Sequence, residues 1–337
     1  MTTIGSQGWA RRLDAEGLRL RRSWPRSADR LLLELRDHDG RHIAGQWFAD
    51  PHRAAAVAAA TPGGRCDGGV VLQPSGADRR LPRLRSLLAA SGNSLISHRP
   101  ERRAVLRTDT GHLKVVRRSA HDATVRRARL AATLGLGAPA VLSADADTGS
   151  VATETLPGTP LTAMLAGAGA ADACAAVGRR LAQLHRIAPG EIADADLGRH
   201  GPDEEIAVLR RWTELAAAYR LQPRPTELPT PPCPAALRLI HRDFHDGQVI
   251  MNGVVPGVLD FDLLALGDPA LDLANFLAHL ELRAHQGLLA DLPAATAATL
   301  QGYRPDASVR SALPGYLATA RLRLRAVYAF RDPELVS

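Results

Sequence analysis

Two short blocks of acidic and amide side chains, each set between apolar runs, constrain this chain more than any other feature. The first is His241-Arg-Asp-Phe-His-Asp-Gly-Gln248 and the second is Val258-Leu-Asp-Phe-Asp262. Leu237, Leu239 and Ile240 lead into the first block, and Val249, Ile250 and Met251 leave it. Asn252-Gly253 and Pro256-Gly257 turn the chain between the blocks. This pattern predicts short β-segments bracketing loops, with the polar groups held in the loops by rigid neighbours.

The spacing points to phosphoryl transfer. A protein-kinase catalytic loop reads H-R-D-x-x-x-x-N and is followed by a metal-binding D-F-G. Here Asp243 follows His-Arg, Gln248 stands five residues later in the place of the Asn, and Asp260 opens Asp-Phe-Asp. Such chemistry needs positioning and charge neutralisation more than covalent help. One carboxylate for the hydroxyl, with a carboxylate and an amide carbonyl for a cation, is a minimum set.

Wider context narrows the pattern. His241-x-Asp243-x-His245-x-Gly247-Gln248, then Leu259-Asp-Phe-Asp262, then Gly267-Asp-Pro-Ala-Leu-Asp-Leu-Ala274 resembles the aminoglycoside phosphotransferase and choline kinase-like family. That family reads H-G-D-x-H-x-x-N, I-D-[FW]-[DE] and G-D-P-x-x-D-L-A. Leu184-His185 is similar to its L-x-x-L-H, and Thr153-Glu-Thr-Leu-Pro-Gly158 to its interlobe hinge. The resemblance covers about residues 93–285. It implies an α+β, bilobal protein kinase-like fold. The parts would be a β-rich N-terminal extension over 1–92, an N-lobe over 93–157 with the hinge at about 153–158, and a mainly helical C-lobe over 158–337.

The resemblance also implies roles. Asp243 is the catalytic carboxylate that orients the acceptor hydroxyl. Asp260 is the main Mg²⁺ ligand, with Gln248 and Asp262 as further candidates. Lys114, in Leu-Lys-Val, stands where the family holds the ATP phosphates, and the adenine lies beside Glu154 and Leu156. His241, His245 and Asp272 support the catalytic loop. A zinc site from the two histidines and the aspartates is the runner-up chemistry, and imidazole does suit transition metals.

Two departures stand out. The loop before the lysine hairpin, His98-Arg-Pro-Glu-Arg-Arg103, has no glycine; Arg99 and Arg103 could instead bind phosphate through their guanidinium groups. The following helix, at about 120–134, lacks the glutamate that would pair with Lys114, and Asp122 is its one acid. The expected activity is ATP-dependent phosphorylation of a small-molecule hydroxyl, on an aminoglycoside, sugar or amino alcohol, with GTP left open as donor. The alternative is a catalytically impaired pseudokinase or nucleotide-binding regulator.

Upstream, Arg30 to Arg36 and Arg41 to Phe48 around Asp37-His-Asp-Gly40 read as a β-hairpin. It echoes the second hairpin, 103–107 and 112–116 around Thr108-Asp-Thr-Gly111, as one extended sheet or a weak duplication. A helix is expected over 51–60, a strand over 70–72 and a helix over 81–90. Trp9, Trp24 and Trp47 are expected to fill a small core. Downstream, an amphipathic helix is expected over 171–187, an acidic stretch over 191–205 that reads as a solvated linker, with an acidic rim for a cationic substrate as the alternative, and an extended connector over 222–234, where six of thirteen residues are proline. Asp268 before Pro269 caps the next helix, and a last helix runs over 313–330. Glu281, His279 and Asp291 are candidates for the acceptor side.

Composition excludes several classes. The net charge of +7 and pI near 10.1 invite a nucleic-acid reading, but aromatic residues are only 4% and no basic block interleaves with them. No run of eighteen apolar residues appears, so no membrane span is expected. The N-terminus lacks the layout of a signal peptide, and Cys66, Cys174 and Cys233 show no metal spacing. A cytoplasmic protein with nucleotide and small-molecule partners, no nucleic acid and no membrane fits best; its oligomeric state is left open.

Overall fold

The structure is a computed structural model that describes residues 8–188, 190, 192, 197–231 and 237–331. Cys233, Glu191, Asp194, Asp196, Pro232, Pro234 and the N-terminal seven residues lie outside the described residues.

The chain opens with α1 (Gly8–Ala15) and the strands β1 (Arg19–Ser27), β2 (Arg30–Arg36) and β3 (His42–Phe48). Helix α2 (Pro51–Ala59), strands β4 (Arg65–Asp67) and β5 (Val70–Gln73), and α3 (Leu84–Ala89) follow. Asp50 caps α2 by accepting the His52 N–H, with Pro51 pre-set at the first helical position. Helix α3 is shorter than expected. Its predicted first turn is taken by Asp78, whose carboxylate accepts the N–H groups of Arg80 and Leu81 in a turn instead.

A second run comprises β6 (Ser94–Arg99), β7 (Arg103–Thr108), β8 (Gly111–Val116), α4 (Arg118–Thr133), β9 (Val141–Asp145) and β10 (Ser150–Thr153). The two runs form separate five-stranded sheets with the same order: β1-β2-β3-β5-β4 and β6-β7-β8-β10-β9. In each, a helix joins the third strand to the fourth. The hairpin echo is therefore a repeat of a whole sheet topology, not one extended sheet. Arg36 pairs with His42 in the first hairpin and Arg107 with His112 in the second. Two residues beyond each histidine stand Ala44 and Lys114, so the first sheet carries a methyl where the second carries the ammonium.

Alternation on β2 sends Leu31, Leu33 and Leu35 into a core with Trp9, Trp47, Tyr219 and Phe330. Trp9 stacks on Trp47 at 5.9 Å. Trp24 does not join them: Arg22 and Arg99 lie over its ring at 5.4 and 5.2 Å. The first sheet thus packs on the far end of the chain, and the Ser23 hydroxyl donates to the Phe330 carbonyl at 2.9 Å.

The remainder is mainly helical: α5 (Leu161–Met164), α6 (Ala170–Arg186), α7 (Pro202–Ala218), α8 (Pro269–His285), α9 (Leu292–Tyr303) and α10 (Ala307–Tyr328). Val177, Leu181 and Leu184 bury one face of α6 against α9. A Cβ on Gly178 would stand 2.3 Å from the Thr299 carbonyl oxygen, and one on Gly302 would stand 2.1 Å from that of Ala175. Both glycines set how closely these helices cross. Helix α10 starts earlier than expected because Asp306 caps it, accepting the Val309 N–H, and the helix carries Pro314 within it.

Short strands complete this part: β11 (Thr159–Pro160), β12 (Arg199–His200), β13 (Arg238–Ile240), β14 (Val249–Asn252), β15 (Val255–Val258) and β16 (Ala265–Gly267). They form two three-stranded sheets, β11-β14-β15 and β12-β16-β13. The first acidic block is the loop from β13 to β14, and the second joins β15 to β16, as the sequence pattern predicts. Among the described residues no helix is long and apolar enough to cross a membrane.

Candidate active site

The loop after β13 is built on one buried carboxylate. Asp268 caps α8 by accepting the Ala270 N–H at 2.8 Å, which places Asp272 in the first turn. Asp272 then accepts the backbone N–H of His241 at 2.6 Å and that of Arg242 at 2.7 Å. His185 reaches the same carboxylate at 3.2 Å and meets the Tyr303 hydroxyl at 2.7 Å through its other nitrogen. Leu184-His185 thereby acts as loop support.

His241 ties the two acidic blocks together. Its Nδ1 accepts the Asp243 N–H at 3.3 Å, so its Nε2 carries the proton and donates to the Leu259 carbonyl at 2.8 Å. The Leu259 N–H donates to the Gln248 carbonyl at 2.8 Å, a second bridge. His241 also packs on Phe261 and Phe244 at 4.9 and 5.8 Å. Arg242 and Asp260 both hold left-handed backbone angles, with φ of 70° and 59°. Strain of that kind in non-glycine residues persists only where surroundings enforce it.

His245 accepts the Gly247 N–H at 3.0 Å and stacks on His279 at 4.5 Å. Burial pushes His279 well below the usual imidazole range, so the stacked neighbour is uncharged near neutrality. Beside them Asp246, fully buried, accepts from Arg283 at 2.6 Å. Burial alone would raise that carboxyl, but the neighbouring His245 ring and the hydrogen-bonded Arg283 carry it down to about 2.

Lys114 answers the question left by the missing helix glutamate. Its Nζ lies 2.9 Å from Asp260 and 2.8 Å from Asp262. Arg103 Nη1 reaches the same pair at 3.2 and 2.8 Å. Burial would lower the lysine, yet the two carboxylates raise it above its ordinary value. Burial would raise Asp260, yet Lys114 and then Arg103 hold it well below the carboxylate range. Helix α4 offers Thr124, Ala128 and Ala131 to this space, while Asp122 pairs with His121 on the exposed side.

These groups line a cavity of about 360 Å³ between the second sheet and the helical part. Val105, Val151, Ala138, Ile250 and Leu156 make its apolar walls; Lys114, Gln248, Asp260 and Asp262 make one polar end. Glu154 lines it too, with its carboxylate fixed by the Ala140 N–H at 3.0 Å. The structure thus gathers Lys114, Arg103, Gln248, Asp260, Asp262, Glu154 and Leu156. It does not bring Arg99 to the cavity; that guanidinium lies over Trp24, and its Nε is buried with no hydrogen-bond partner. Burial and the neighbouring arginines push it down to about 9.

Several sequence expectations need correction. Glu205 is not part of a solvated stretch: it is buried, with His200 at 2.9 Å and Arg323 at 3.4 Å. Glu204 accepts the Gly201 N–H at the start of α7. Asp291 caps α9, Glu281 pairs with Arg321, and His279 is buried behind His245. The Asp246–Arg283 and Glu205–Arg323 pairs escaped the sequence because each joins residues far apart in the chain.

The kinase-like arrangement of a β-sheet lobe over a helical lobe, with lysine and paired carboxylates at the junction, defines a phosphotransferase-type fold. A model of the phosphotransferase enzyme family (APH) matches residues 89–307, well over half the chain, and the chain belongs to that family. Solved structures agree on the fold. Aminoglycoside phosphotransferase APH(3'')-Id from Streptomyces rimosus ATCC10970 aligns at 18% identity and a TM-score of 0.52, over 71% of this chain and 96% of that one. The same enzyme in complex with ADP and streptomycin aligns at 18% identity and a TM-score of 0.51, over the same shares. An aminoglycoside-3'-phosphotransferase of type VIII aligns at 18% identity and a TM-score of 0.50, over 71% and 97%. No curated protein sequence matches the chain significantly.

Proposed function

We propose that the chain transfers the terminal phosphoryl group of ATP, or GTP, to a hydroxyl of a small molecule. The observation that carries this reading is the convergence of Lys114, Asp260 and Asp262 at the polar end of the interlobe cavity. ADP bound in the Streptomyces relative supports a nucleotide there.

The residues fit a hard divalent cation. One positive charge, the Lys114 ammonium, already sits at the meeting point of two carboxylates, and Gln248 lines the same end. Oxygen donors in that number suit magnesium, which is held by one or two carboxylates and by substrate phosphates. Asp260 and Asp262 would hold it, with the Gln248 carbonyl as a further donor. When bound, the ion neutralises charge on the phosphates.

The chain's own groups do the rest. Lys114 and Arg103 turn from the carboxylates to the phosphate oxygens. The apolar walls hold the base beside 154–156. Asp243 orients the acceptor hydroxyl and takes its proton as the oxygen–phosphorus bond forms and the bond to the departing ADP oxygen breaks. Asp272 and His241 keep Asp243 in place through the loop backbone. In contrast to a zinc site, both nitrogens of His241 are already engaged by backbone groups.

The second reading, a nucleotide-binding regulator, draws on one observation: Lys114 and Arg103 cover the cation-binding carboxylates. Titration with Mg-ADP in a calorimeter, beside ADP release from Mg-ATP over an acceptor panel, separates the two. An enzyme binds and turns over; a regulator binds only. Asp260→Ala should abolish magnesium-dependent binding under either reading.

A further inference from the structure

The turn between β6 and β7 runs through Arg99-Pro-Glu-Arg-Arg103, and Arg103 at its end reaches Asp260 and Asp262. A three-residue hairpin loop of this kind usually gives its left-handed position to glycine. Here Glu101 holds it, with φ of 57°, and its side chain is buried. The first run of the chain takes its carboxylate: Arg30 of β2 stands at 2.9 Å, Arg79 at 2.7 Å and the Gln46 amide of β3 at 3.3 Å. Burial would raise that carboxyl, but Arg79 and Arg30 hold it below its ordinary value. The Glu101 N–H donates to Asp78 at 2.7 Å, and the His98 ring meets the same oxygen at 2.9 Å. Gln46 also donates to Gln73 at 2.9 Å, and both amides are buried. Arg99 lies over Trp24 of β1.

The first sheet is in turn fastened to the helical part. Ser23 donates to the Phe330 carbonyl at 2.9 Å, the Tyr219 hydroxyl to the Ser27 carbonyl at 3.0 Å, and Arg211 of α7 to the Arg26 carbonyl at 3.2 Å. Leu31, Leu33 and Leu35 pack with Tyr219 and Phe330. The second sheet is thus tied to the helical part through the first sheet as well as through the chain that leaves β10. A buried polar network with its partners in place rigidifies what it joins. Left-handed backbone at a glutamate persists only where such surroundings enforce it.

We propose that the first sheet is a strap that fixes the β6–β7 turn and the cavity beside it before any ligand arrives, and that Glu101 is the positioning residue through which it acts. This rests on the phosphotransferase reading, under which Arg103 meets the nucleotide phosphates. A glycine-rich loop must be ordered when nucleotide binds, and that ordering weakens binding. A turn held in one geometry from the start leaves the competent state fully populated. The missing glycine and the added sheet are then two sides of one device: the anchor needs a carboxylate where glycine would otherwise stand.

The test compares the full chain with Glu101→Gly by hydrogen exchange and by calorimetry with Mg-ADP. Glycine suits the left-handed backbone and removes the anchor, so the variant tests the carboxylate without straining the turn. Amides of residues 99–103 should exchange about tenfold faster in Glu101→Gly than in the wild type, while those of α8 stay unchanged, which separates a loosened turn from a loosened fold. Mg-ADP should bind Glu101→Gly about fivefold more weakly and should restore the protection of the turn. Arg30→Met, altered on the first sheet, should shift both readouts in the same direction, and Glu101→Gln, which keeps an oxygen for Arg79, should recover most of the loss. Wild-type protection of the turn that appears only with Mg-ADP would overturn the inference, as would equal Mg-ADP affinity in the wild type and Glu101→Gly. Failure of the wild type to bind Mg-ADP at all would strike the phosphotransferase reading, and with it the strap's role in binding.

Discussion

Lys114 on β8 and Asp260, 146 residues later, lie 2.9 Å apart across the interlobe cavity. The lysine has no acid from α4 to hold it, so the carboxylates of the second acidic block do so directly. On the proposed function, nucleotide and cation would replace this contact, not merely add to it.

Lys114→Met should leave Asp260 and Asp262 with Arg103 as their remaining cation. Removing one partner of a half-buried ion pair destabilises through the charge left behind, here by roughly 2 kcal/mol after allowance for partial exposure. Denaturant unfolding would register that loss. Calorimetry should show Mg-ADP affinity at least tenfold weaker.

Magnesium alone should bind weakly, because two cations already cover the carboxylates proposed to hold it. Millimolar Mg²⁺ without nucleotide should shift the melting temperature by less than about 1 °C, and Mg-ADP by several degrees, as ligand linkage requires. Chelating the ion with EDTA should remove most of the ADP effect. A large shift from Mg²⁺ by itself would mean that the carboxylates are free.

Asp272→Asn tests the loop support. An amide has one acceptor oxygen, and its NH₂ would face an N–H that the carboxylate now accepts. With hydrogen bonds to a charged group worth about 1.5–3 kcal/mol each, the expected destabilisation is roughly 2–4 kcal/mol. Turnover should fall with little change in ADP affinity, since Asp272 acts through the Asp243 loop and does not line the cavity.

Asp246 sets an acid limb on stability. Its native carboxyl titrates at about 2 against the ordinary 3.8, so the folded state binds this proton less tightly than the unfolded chain. The contribution is complete above pH 4 and is lost as pH falls toward 2; it amounts to about 2 kcal/mol. Chemical unfolding from pH 6 to 2 should show this loss. Asp246→Asn should be less stable at pH 6 and fall less steeply with acid, retaining the part due to Asp260.

The loops that carry the proposed site were legible because their information is local: His241, Asp243, Gln248 and Asp260 are placed by spacing between short strands, and Asp272 by a capped helix start. The hairpin echo was legible for the same reason, whereas the shared strand order of the two sheets depends on pairing that no local pattern encodes. Lys114's partner was not legible, since α4 simply lacks an acid and the replacement comes from a distant loop. Arg99 and Arg103 look alike in sequence; packing of Trp24 from the first sheet takes one and leaves the other facing Asp262. Glu205 looked solvated because neither burial of His200, five residues upstream, nor the approach of Arg323, more than a hundred residues away, is encoded locally.

The most direct measurement is steady-state ADP release from Mg-ATP, with an accepted alcohol, by the wild-type chain and by Asp243→Asn. A general base contributes about 10²–10⁴ in rate, so the variant should lose at least a hundredfold in kcat while binding Mg-ADP within threefold of wild type. Equal rates in the two proteins would contradict the assignment of Asp243 and of the whole site around it.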